Sequence, residues 1–159
     1  MLPFLISSIL SAQDPQAKPL TSTIQELWDK KDVWLLKRVH PIGSIVGSKL
    51  ITVGTVSVAE DNTNIEGISL VLDEGNQYIF SLDEANKFTK QLGLLSTKVT
   101  YPMSSEETYS FATENGIRIV YSPKGTTLFI SLNNITLTQR QFVDLIKLLE
   151  KALGTRKSS

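Results

Sequence analysis

The hydrophobic and polar positions of the chain change their spacing twice, and each change predicts a switch from strands to a helix. Between residues 33 and 81, apolar and polar residues alternate in four short runs, which is typical of strands. The composition around Asp73 and Gly75 indicates a turn between the last two runs. Apolar residues then recur at spacings of three and four, which predicts the buried face of a helix: Leu82, Ala85, Phe88 and Leu92. Gly93 follows directly, where a glycine commonly ends a helix.

The second half of the chain repeats this order. Four strand-like runs are separated by turn sequences such as Asn115-Gly116, and a helix is predicted from about Gln139 to Leu153, closed by Gly154. The two strand-to-helix junctions can be aligned, with the pair Ser81 and Glu84 over the pair Thr138 and Gln141. The sequence therefore predicts two tandem β-β-β-β-α units, residues 32–93 and 99–154, which form an internal repeat.

This pattern predicts an α+β fold in which antiparallel strands form one sheet or two, with two helices covering one face. The chain has 159 residues, enough for a single domain with a substantial core. We assign that domain to residues 32–154. Residues 13–31 are predicted to be an N-terminal tail with a short helix, because Ser22 and Gln25 have the spacing of a capping box. Residues 155–159 are predicted to be a disordered tail.

The first twelve residues resemble a signal peptide. An apolar run from Leu2 to Leu10 is followed by small Ser11 and Ala12, and a cut after Ala12 would fit. No basic residue precedes the run, and Leu10 occupies a position where a small residue is usual. The alternative is a hydrophobic helix docked on the domain. The run is too short to span a bilayer, so we expect an exported protein, periplasmic or secreted, without a membrane span.

The amino-acid composition of the chain argues against several classes of function. Sixteen basic and sixteen acidic side chains cancel, so no long-range field attracts nucleic acid or anionic lipid. The chain has no cysteine and one histidine, His40, which excludes zinc sites built from these residues and leaves only His40 for a histidine-based triad. His40 precedes Pro41 at the end of a predicted strand and is expected to be an exposed or capping imidazole. The glycines of residues 40–49 lack the ending of a phosphate loop and predict a wide turn or bulge between two strands.

Acidic residues occur in adjacent pairs, of which Asp83 and Glu84 follow a strand and open a helix. Ser81 and Glu84 have the spacing of a capping box, and the aligned pair in the second unit ends in neutral Gln141, which favours structure over catalysis. Residues 60–67 are the nearest approach to a calcium loop, but the spacing and the central glycine are missing. We therefore assign no catalytic, cofactor-binding or metal-binding residue and expect no cofactor.

Aromatic residues divide into two predicted groups. One group falls within apolar runs and is expected in the core: Trp34, Phe80, Phe88, Phe111, Phe129 and Phe142. The other is expected at the surface: Tyr101, Tyr109 and Tyr121. On an open sheet face, such tyrosines could stack on bases or sugars.

Three functions follow as hypotheses. The first is an exported, non-enzymatic binding or assembly module for an unknown protein or small ligand, with a possible homodimer through sheet edges. The second is single-stranded nucleic-acid binding, because the inferred β-β-β-β-α units resemble the architecture of the Whirly and PUR families, which implies strand binding on their sheets. The charge disfavours it: residues 33–92 carry five basic and seven acidic side chains. The third, a carboxylate-dependent hydrolase, would need two acidic groups facing each other across a cleft.

Overall fold

The computed structural model describes residues 21–73, 75–98, 107–124 and 127–157. The predicted signal peptide at residues 1–12 and Tyr101 lie outside the described residues. In chain order the elements are α1 (Thr21–Trp28), β1 (Leu36–Val46), β2 (Leu50–Glu60), β3 (Thr63–Leu72), β4 (Asn76–Ser81), α2 (Leu82–Lys98), β5 (Tyr109–Ala112), β6 (Arg118–Lys124), β7 (Thr127–Leu132), β8 (Ile135–Leu137) and α3 (Gln139–Lys157).

The strands form two four-stranded antiparallel sheets, in the order β1-β2-β3-β4 and β5-β6-β7-β8. Each set of four strands is followed directly by a long helix. The predicted α+β class with tandem β-β-β-β-α units is therefore confirmed, and of the two arrangements left open by the sequence the chain adopts two sheets. The short helix predicted before residue 32 is also present, as α1.

One buried cluster joins both sheets to α2 and α3. Its largest members are the fully buried Phe80, Phe88, Tyr121 and Phe142. A second, smaller cluster lies on the other face of the first sheet, where Ile24 of α1 packs with Val56, Val58 and Ile79. Because side chains alternate along a strand, β2 buries Ile51 and Val53 in the first cluster and Val56 and Val58 in the second. A helix packed against this second face is not part of the predicted arrangement.

Both long helices continue beyond the glycines that were predicted to end them. Helix α2 runs to Lys98 and α3 to Lys157, and neither Gly93 nor Gly154 has the positive φ of a glycine cap. In α3 the last turn is held by Arg156, whose Nη1 donates to Glu66 Oε1 at 3.0 Å. The helix thus includes residues 155–157, which the sequence predicts as part of a disordered tail.

Both helices begin at the predicted capping residues. In α3 the box is reciprocal: the Gln141 amide donates to Thr138 Oγ1 at 3.1 Å, and the Thr138 amide donates to Gln141 Oε1 at 2.9 Å. In α2 the Glu84 amide donates to Ser81 Oγ at 3.1 Å. The interpretation of these pairs as helix starts is confirmed.

Pro41 does not end the first strand. Strand β1 continues to Val46, with an irregularity of register between Pro41 and Gly43. Since β1 lies at the edge of its sheet, a proline without an amide hydrogen is tolerated there, and a bulge absorbs the mismatch. The bulge predicted for residues 40–49 therefore lies inside one strand.

Hairpin turns join the two sheets at three points. Asn115 Nδ2 donates to the carbonyl oxygen of Ile79 at 3.0 Å, and Asn133 Nδ2 donates to the Tyr78 hydroxyl at 3.1 Å. At the far edge of the second sheet, the Ser48 amide donates to the carbonyl oxygen of Thr136 at 3.0 Å. The turns of each sheet thus cover the last strand of the other, β4 or β8. The first strands, β1 and β5, remain at sheet edges.

Candidate functional site

A groove runs between helix α2 and the edge strand β5, and we call it the α2–β5 groove. It consists of two pockets that share Phe111. The first, of about 140 Å³, is lined by Gln91, Leu92, Leu94, Leu95, Tyr109, Ser110, Phe111 and Ile119. The second, of about 190 Å³, is lined by Phe80, Glu84, Lys87, Phe88, Phe111, Ala112, Thr113 and Glu114.

The two walls of the groove, α2 and β5, are apolar because of the spacing of their apolar residues. Helix α2 turns the face that carries Phe88 and Leu92 toward the core, and Leu95 lies one turn further on. In β5, alternate residues share a face, so Tyr109 and Phe111 lie on one side of the strand. Their partners across β6 are the buried Tyr121 and Ile119, which identifies this as the core side. The two walls are therefore both apolar where they face each other.

Aromatic rings form much of the groove. Phe88 stacks on Phe80 with ring centroids 5.1 Å apart and on Phe111 at 6.3 Å, and Tyr109 stacks on Tyr121 at 6.3 Å. The outer members of these stacks are incompletely covered, because Tyr109 and Phe111 are each 37% exposed. Leu94 on the helix wall is 54% exposed. Apolar surface at the rim of a groove is typical of sites that bind another molecule.

Strand β5 lies at the edge of its sheet. It pairs with β6 on one side, and among the described residues no strand pairs with its other side. Strands at a sheet edge are where an additional strand can join a sheet. The α2–β5 groove therefore combines apolar pockets with the edge strand of a sheet.

Glu84 is the titratable group that the groove perturbs. Its carboxyl is half-buried, and this desolvation raises its pKa from 4.5 to about 7. The Ser81 hydroxyl and amide lower the pKa, the negative charge of Glu114 raises it, and Lys87 lowers it again. Oε1 of Glu84 is buried without a hydrogen-bond partner among the described residues. The residue thus has a second property besides its part in the cap: it exchanges a proton near neutral pH.

Among the described residues, the other members of the adjacent acidic pairs do not converge on a site. Asp61 lies in the β2–β3 turn at positive φ, and Asp73 pairs with Lys49 at 3.1 Å. Glu60 accepts from Lys30 at 2.7 Å. Within residues 60–67, Glu66 lies in β3 and bonds Arg156, so the stretch is a hairpin rather than a loop around a cation. Asp83 is exposed, 4.0 Å from Lys87. His40 is exposed on the edge strand β1.

Several aromatic side chains differ from their predicted positions. Trp34 was predicted to be in the core and is 97% exposed just before β1, whereas Tyr121 was predicted at the surface and is fully buried. Burial raises the pKa of the Tyr121 hydroxyl, with a smaller contribution from Tyr109. Phe111, also predicted in the core, is partly exposed; Phe80, Phe88 and Phe142 are buried as predicted. The side chain of Phe129 lies outside the described part.

No family model matches the chain, and no curated protein matches it. Within the described ranges, no helix combines the length and hydrophobicity of a membrane span. In the same ranges, no three His, Asp or Glu side chains lie close enough together to hold a metal ion. The geometry of the α2–β5 groove is therefore the main structural clue to function.

Sequence reasoning missed this groove. It placed Phe111 in the core and interpreted Glu84 through the helix cap alone. The one available signal was Leu94, an apolar residue directly after Gly93 at a position outside the predicted buried face.

Proposed function

We propose that the protein is an exported, non-enzymatic binding or assembly module, and that the α2–β5 groove binds an extended apolar segment of another protein. The observation that supports this most is the exposure of Leu94, Tyr109 and Phe111 around a groove that adjoins the edge strand β5. Addition of a strand to such an edge is a common mode of peptide recognition, in which backbone bonds give affinity and pockets give specificity.

The size of the pockets defines the side chains that they can accept. An apolar cavity of roughly 150 Å³ holds a molecule the size of benzene. A pocket of about 140 Å³ thus accepts one leucine-sized or phenylalanine-sized group. Alternate residues of a strand point to the same side, so a segment with apolar residues at alternate positions would present them to the groove together.

Charge at the groove argues against an acidic segment. Glu84 and Glu114 lie at one end, with Lys87 as the one basic residue among those that line the two pockets. An acidic segment would meet two carboxyl groups and one ammonium group there. We therefore expect a neutral or weakly basic segment. Export is the part of this proposal that rests on residues 1–12, and it predicts a mature protein that begins at Gln13 when isolated from its host.

A phage-displayed library of random twelve-residue peptides, selected on the folded protein, tests the groove. We expect enriched peptides with apolar residues at alternate positions, and we expect Leu94→Ser to weaken their binding at least tenfold. Val39→Ser is the matched control, since Val39 is 49% exposed on the other edge strand, β1. Enrichment that is insensitive to Leu94→Ser, or no enrichment at all, would contradict this proposal.

The alternative function remains single-stranded nucleic-acid binding of the Whirly or PUR kind, which the tandem β-β-β-β-α topology favours. The positions of the tyrosines on the sheets favour this alternative less. Of the three tyrosines predicted at the surface, Tyr101 lies outside the described residues and Tyr121 is buried. Tyr109 is partly exposed, but it lies on the core side of its sheet and stacks on Tyr121. Binding of fluorescent oligo-dT at low salt tests this alternative, and a lack of binding at low salt would contradict it.

A further inference from the structure

The edge strand β1 is open along its first half. Among the described residues, no strand pairs with its outer side, and all residues from Leu36 to Pro41 are exposed. The apolar side chain of Leu36 is 52% exposed. A strand at the edge of a sheet is a place where a further strand can join, and exposed apolar side chains favour such contact. The first half of β1 therefore has the form of a site for strand addition.

A depression of about 550 Å³ lies between the second half of β1 and helix α3, and it is larger than either pocket of the α2–β5 groove. Gln141 at the start of α3 donates from Nε2 to the carbonyl oxygen of Val46 at 2.6 Å, which ties the helix to the end of β1. The other residues that line the depression are Ser44, Ile45, Asp144, Lys147, Leu148 and Lys151. We call the edge of β1 together with this depression the α3–β1 surface.

Arg38 of β1 faces the same side of the sheet as helix α3. It pairs with Ser57, and Ile45 further along β1 pairs with Ile51. Ser57 and Ile51 are six positions apart in β2, so they lie on one face of that strand. Ile51 belongs to the buried cluster that includes residues of α3. Arg38 therefore lies on the side of the sheet on which the helix presents its own basic residues.

The α3–β1 surface is positively charged on this side. It carries Arg38, Lys147 and Lys151 and, among the described residues that line the depression, one acidic residue, Asp144. None of the three basic side chains makes an ion pair with a described residue. Lys147 and Lys151 are one turn apart on α3, where like charges repel each other. Basic groups gathered without an acidic partner attract an acidic group of another molecule.

The α2–β5 groove has the opposite charge. Glu84 and Glu114 line its pockets, with Lys87 as the one basic residue among the described lining residues. The two surfaces correspond to each other in the two units, because each lies between the first strand of one unit and the long helix of the other. They therefore favour ligands of different charge.

We propose that an extended acidic segment of another protein binds along the α3–β1 surface, where it pairs with β1 and places its carboxylates near Arg38, Lys147 and Lys151. Alternate residues of a strand point to one side, so acidic residues at alternate positions would all face the basic side chains. The α3–β1 surface is separate from the α2–β5 groove, and this inference goes beyond the proposed function. With both surfaces, the protein would join two segments of different charge, as an assembly module does.

Two other occupants fit this surface less well. A second copy that pairs β1 with β1 in antiparallel register through residues 36–41 would bring Lys37 and Arg38 of one copy beside those of the other, and like charges on neighbouring strands are destabilising. A nucleic acid would match the charge, but it has no peptide backbone to pair with β1. None of the described residues that line the depression is aromatic, whereas single-strand binding uses aromatic side chains for stacking.

Fluorescence anisotropy of a labelled peptide tests the charge of the ligand. The probe is Thr-Glu-Val-Glu-Val-Glu-Thr, blocked at both ends, and the matched control peptide has lysine in place of each glutamate. We expect the acidic peptide to bind at least about tenfold more tightly than the basic one, and a rise from about 50 mM to about 300 mM salt to weaken its binding. Arg38→Glu and Lys147→Glu should each weaken it about tenfold, because a charge reversal removes an attraction and adds a repulsion. Lys90→Glu is the matched control variant, since Lys90 is exposed on α2 and lines a different depression, and it should bind as the natural protein does.

Two N-methylated forms of the acidic peptide test the pairing with β1. One form has methyl groups on the amides of the glutamates and the other on the amides of the valines. Alternate residues of an antiparallel strand direct their amides to the same neighbour, so one of the two forms should lose its hydrogen bonds to β1. We expect that form to bind at least about tenfold more weakly than the other. Equal binding by both forms would show that charge alone holds the peptide, which contradicts strand addition. Thermal melts confirm that each protein variant is folded.

The remaining outcomes separate this inference from its alternatives and from the proposed function. Absence of binding by the acidic peptide overturns the inference, and so does binding that Leu94→Ser abolishes, because the peptide would then lie in the α2–β5 groove. Displacement of the peptide by an equal concentration of oligo-dT would identify a nucleic-acid surface instead. Self-association in sedimentation that Arg38→Glu abolishes would identify a second copy as the occupant. Failure of the library selection to yield peptides that depend on Leu94, with the acidic peptide still bound, contradicts only the proposed function.

Discussion

The amide of Glu84 donates a hydrogen bond to the Ser81 hydroxyl at 3.1 Å, and this bond starts helix α2 at one end of the groove. Loss of the hydroxyl leaves a helix-end amide without its partner. Ser81→Ala should therefore lower the free energy of unfolding by about 1 kcal/mol, measured by urea denaturation. Thr138→Ala should have a similar effect on α3, whose cap has the same form.

Ser81→Thr serves as the control for this prediction, since it keeps a hydroxyl at the cap and should stay close to the natural stability. An unchanged urea midpoint in Ser81→Ala would show that the bond contributes nothing to stability. It would also weaken the comparison of Glu84 with Gln141, because both residues are positioned by their caps.

Gly93 and Gly67 should respond in opposite directions to the same substitution. A side chain at Gly93 would meet nothing within 4 Å, and the residue lies inside α2, where alanine is favoured over glycine. Gly93→Ala should therefore stabilise the protein by about 0.5–1 kcal/mol. At Gly67 a methyl group would overlap the carbonyl oxygen of Phe80 and meet Ile24 at 2.7 Å, so Gly67→Ala should destabilise by about 1–3 kcal/mol.

Chemical denaturation of the two variants beside the natural protein provides the measurement. Destabilisation by Gly93→Ala would mean that this glycine has the left-handed conformation of a helix cap, as the sequence pattern suggested. Gly116→Ala is a useful reference for that outcome, because Gly116 has a φ of 100° and alanine is strained there.

Stability should depend on pH through Glu84. Its pKa is raised from 4.5 to about 7 in the folded protein, so the folded state holds a proton that the unfolded state has lost between these values. Stability due to this group is therefore fully present below pH 4.5 and is lost as the pH rises to 7. The side chain is partly exposed, which reduces the effect, and we expect about 1 kcal/mol.

Melting temperatures at pH 5 and pH 8 for the natural protein and Glu84→Gln provide the comparison. The difference between the two proteins should be larger at pH 8, with Glu84→Gln the more stable there. A constant difference at the two values would show that the Glu84 carboxyl has an ordinary pKa.

Local sequence patterns were sufficient to predict the strands, the helices and the residues at which the helices begin. Alternation predicted the hairpins, spacings of three and four predicted α2 and α3, and the pairs beginning with Ser81 and Thr138 marked the caps. Each of these features is determined by residues within a few positions of each other. The helix ends were predicted wrongly, because a glycine signals an end only when no tertiary contact, such as Arg156 with Glu66, extends the helix beyond it.

The groove depends on quantities that a single sequence does not contain. Alternation assigns Tyr109 and Phe111 to one face of β5. Whether that face is covered depends on its distance from helix α2, an earlier element of the chain. The pKa of Glu84 likewise depends on the burial of its carboxyl, and the pocket that it lines is shared with Phe111 and Ala112, residues far from it in sequence. The burial of Trp34 and Tyr121 was predicted wrongly for the same reason. A sequence pattern shows on which side of a strand a residue lies, but not which element covers that side.

Tyr121 offers a last test, because its hydroxyl is buried without a hydrogen-bond partner among the described residues. The side chain is fully buried and stacks on Tyr109 at the wall of the groove. An unpaired buried hydroxyl costs free energy that its aromatic ring does not. Tyr121→Phe keeps the ring and removes the hydroxyl, so it should raise the free energy of unfolding by about 1 kcal/mol. Tyr78→Phe is the contrasting variant, since the Tyr78 hydroxyl accepts from Asn133 at 3.1 Å and its loss should destabilise. If Tyr121→Phe is less stable than Tyr78→Phe in urea, the Tyr121 hydroxyl has a hydrogen-bond partner in solution. The core side of β6 is then more polar than the residues around it indicate.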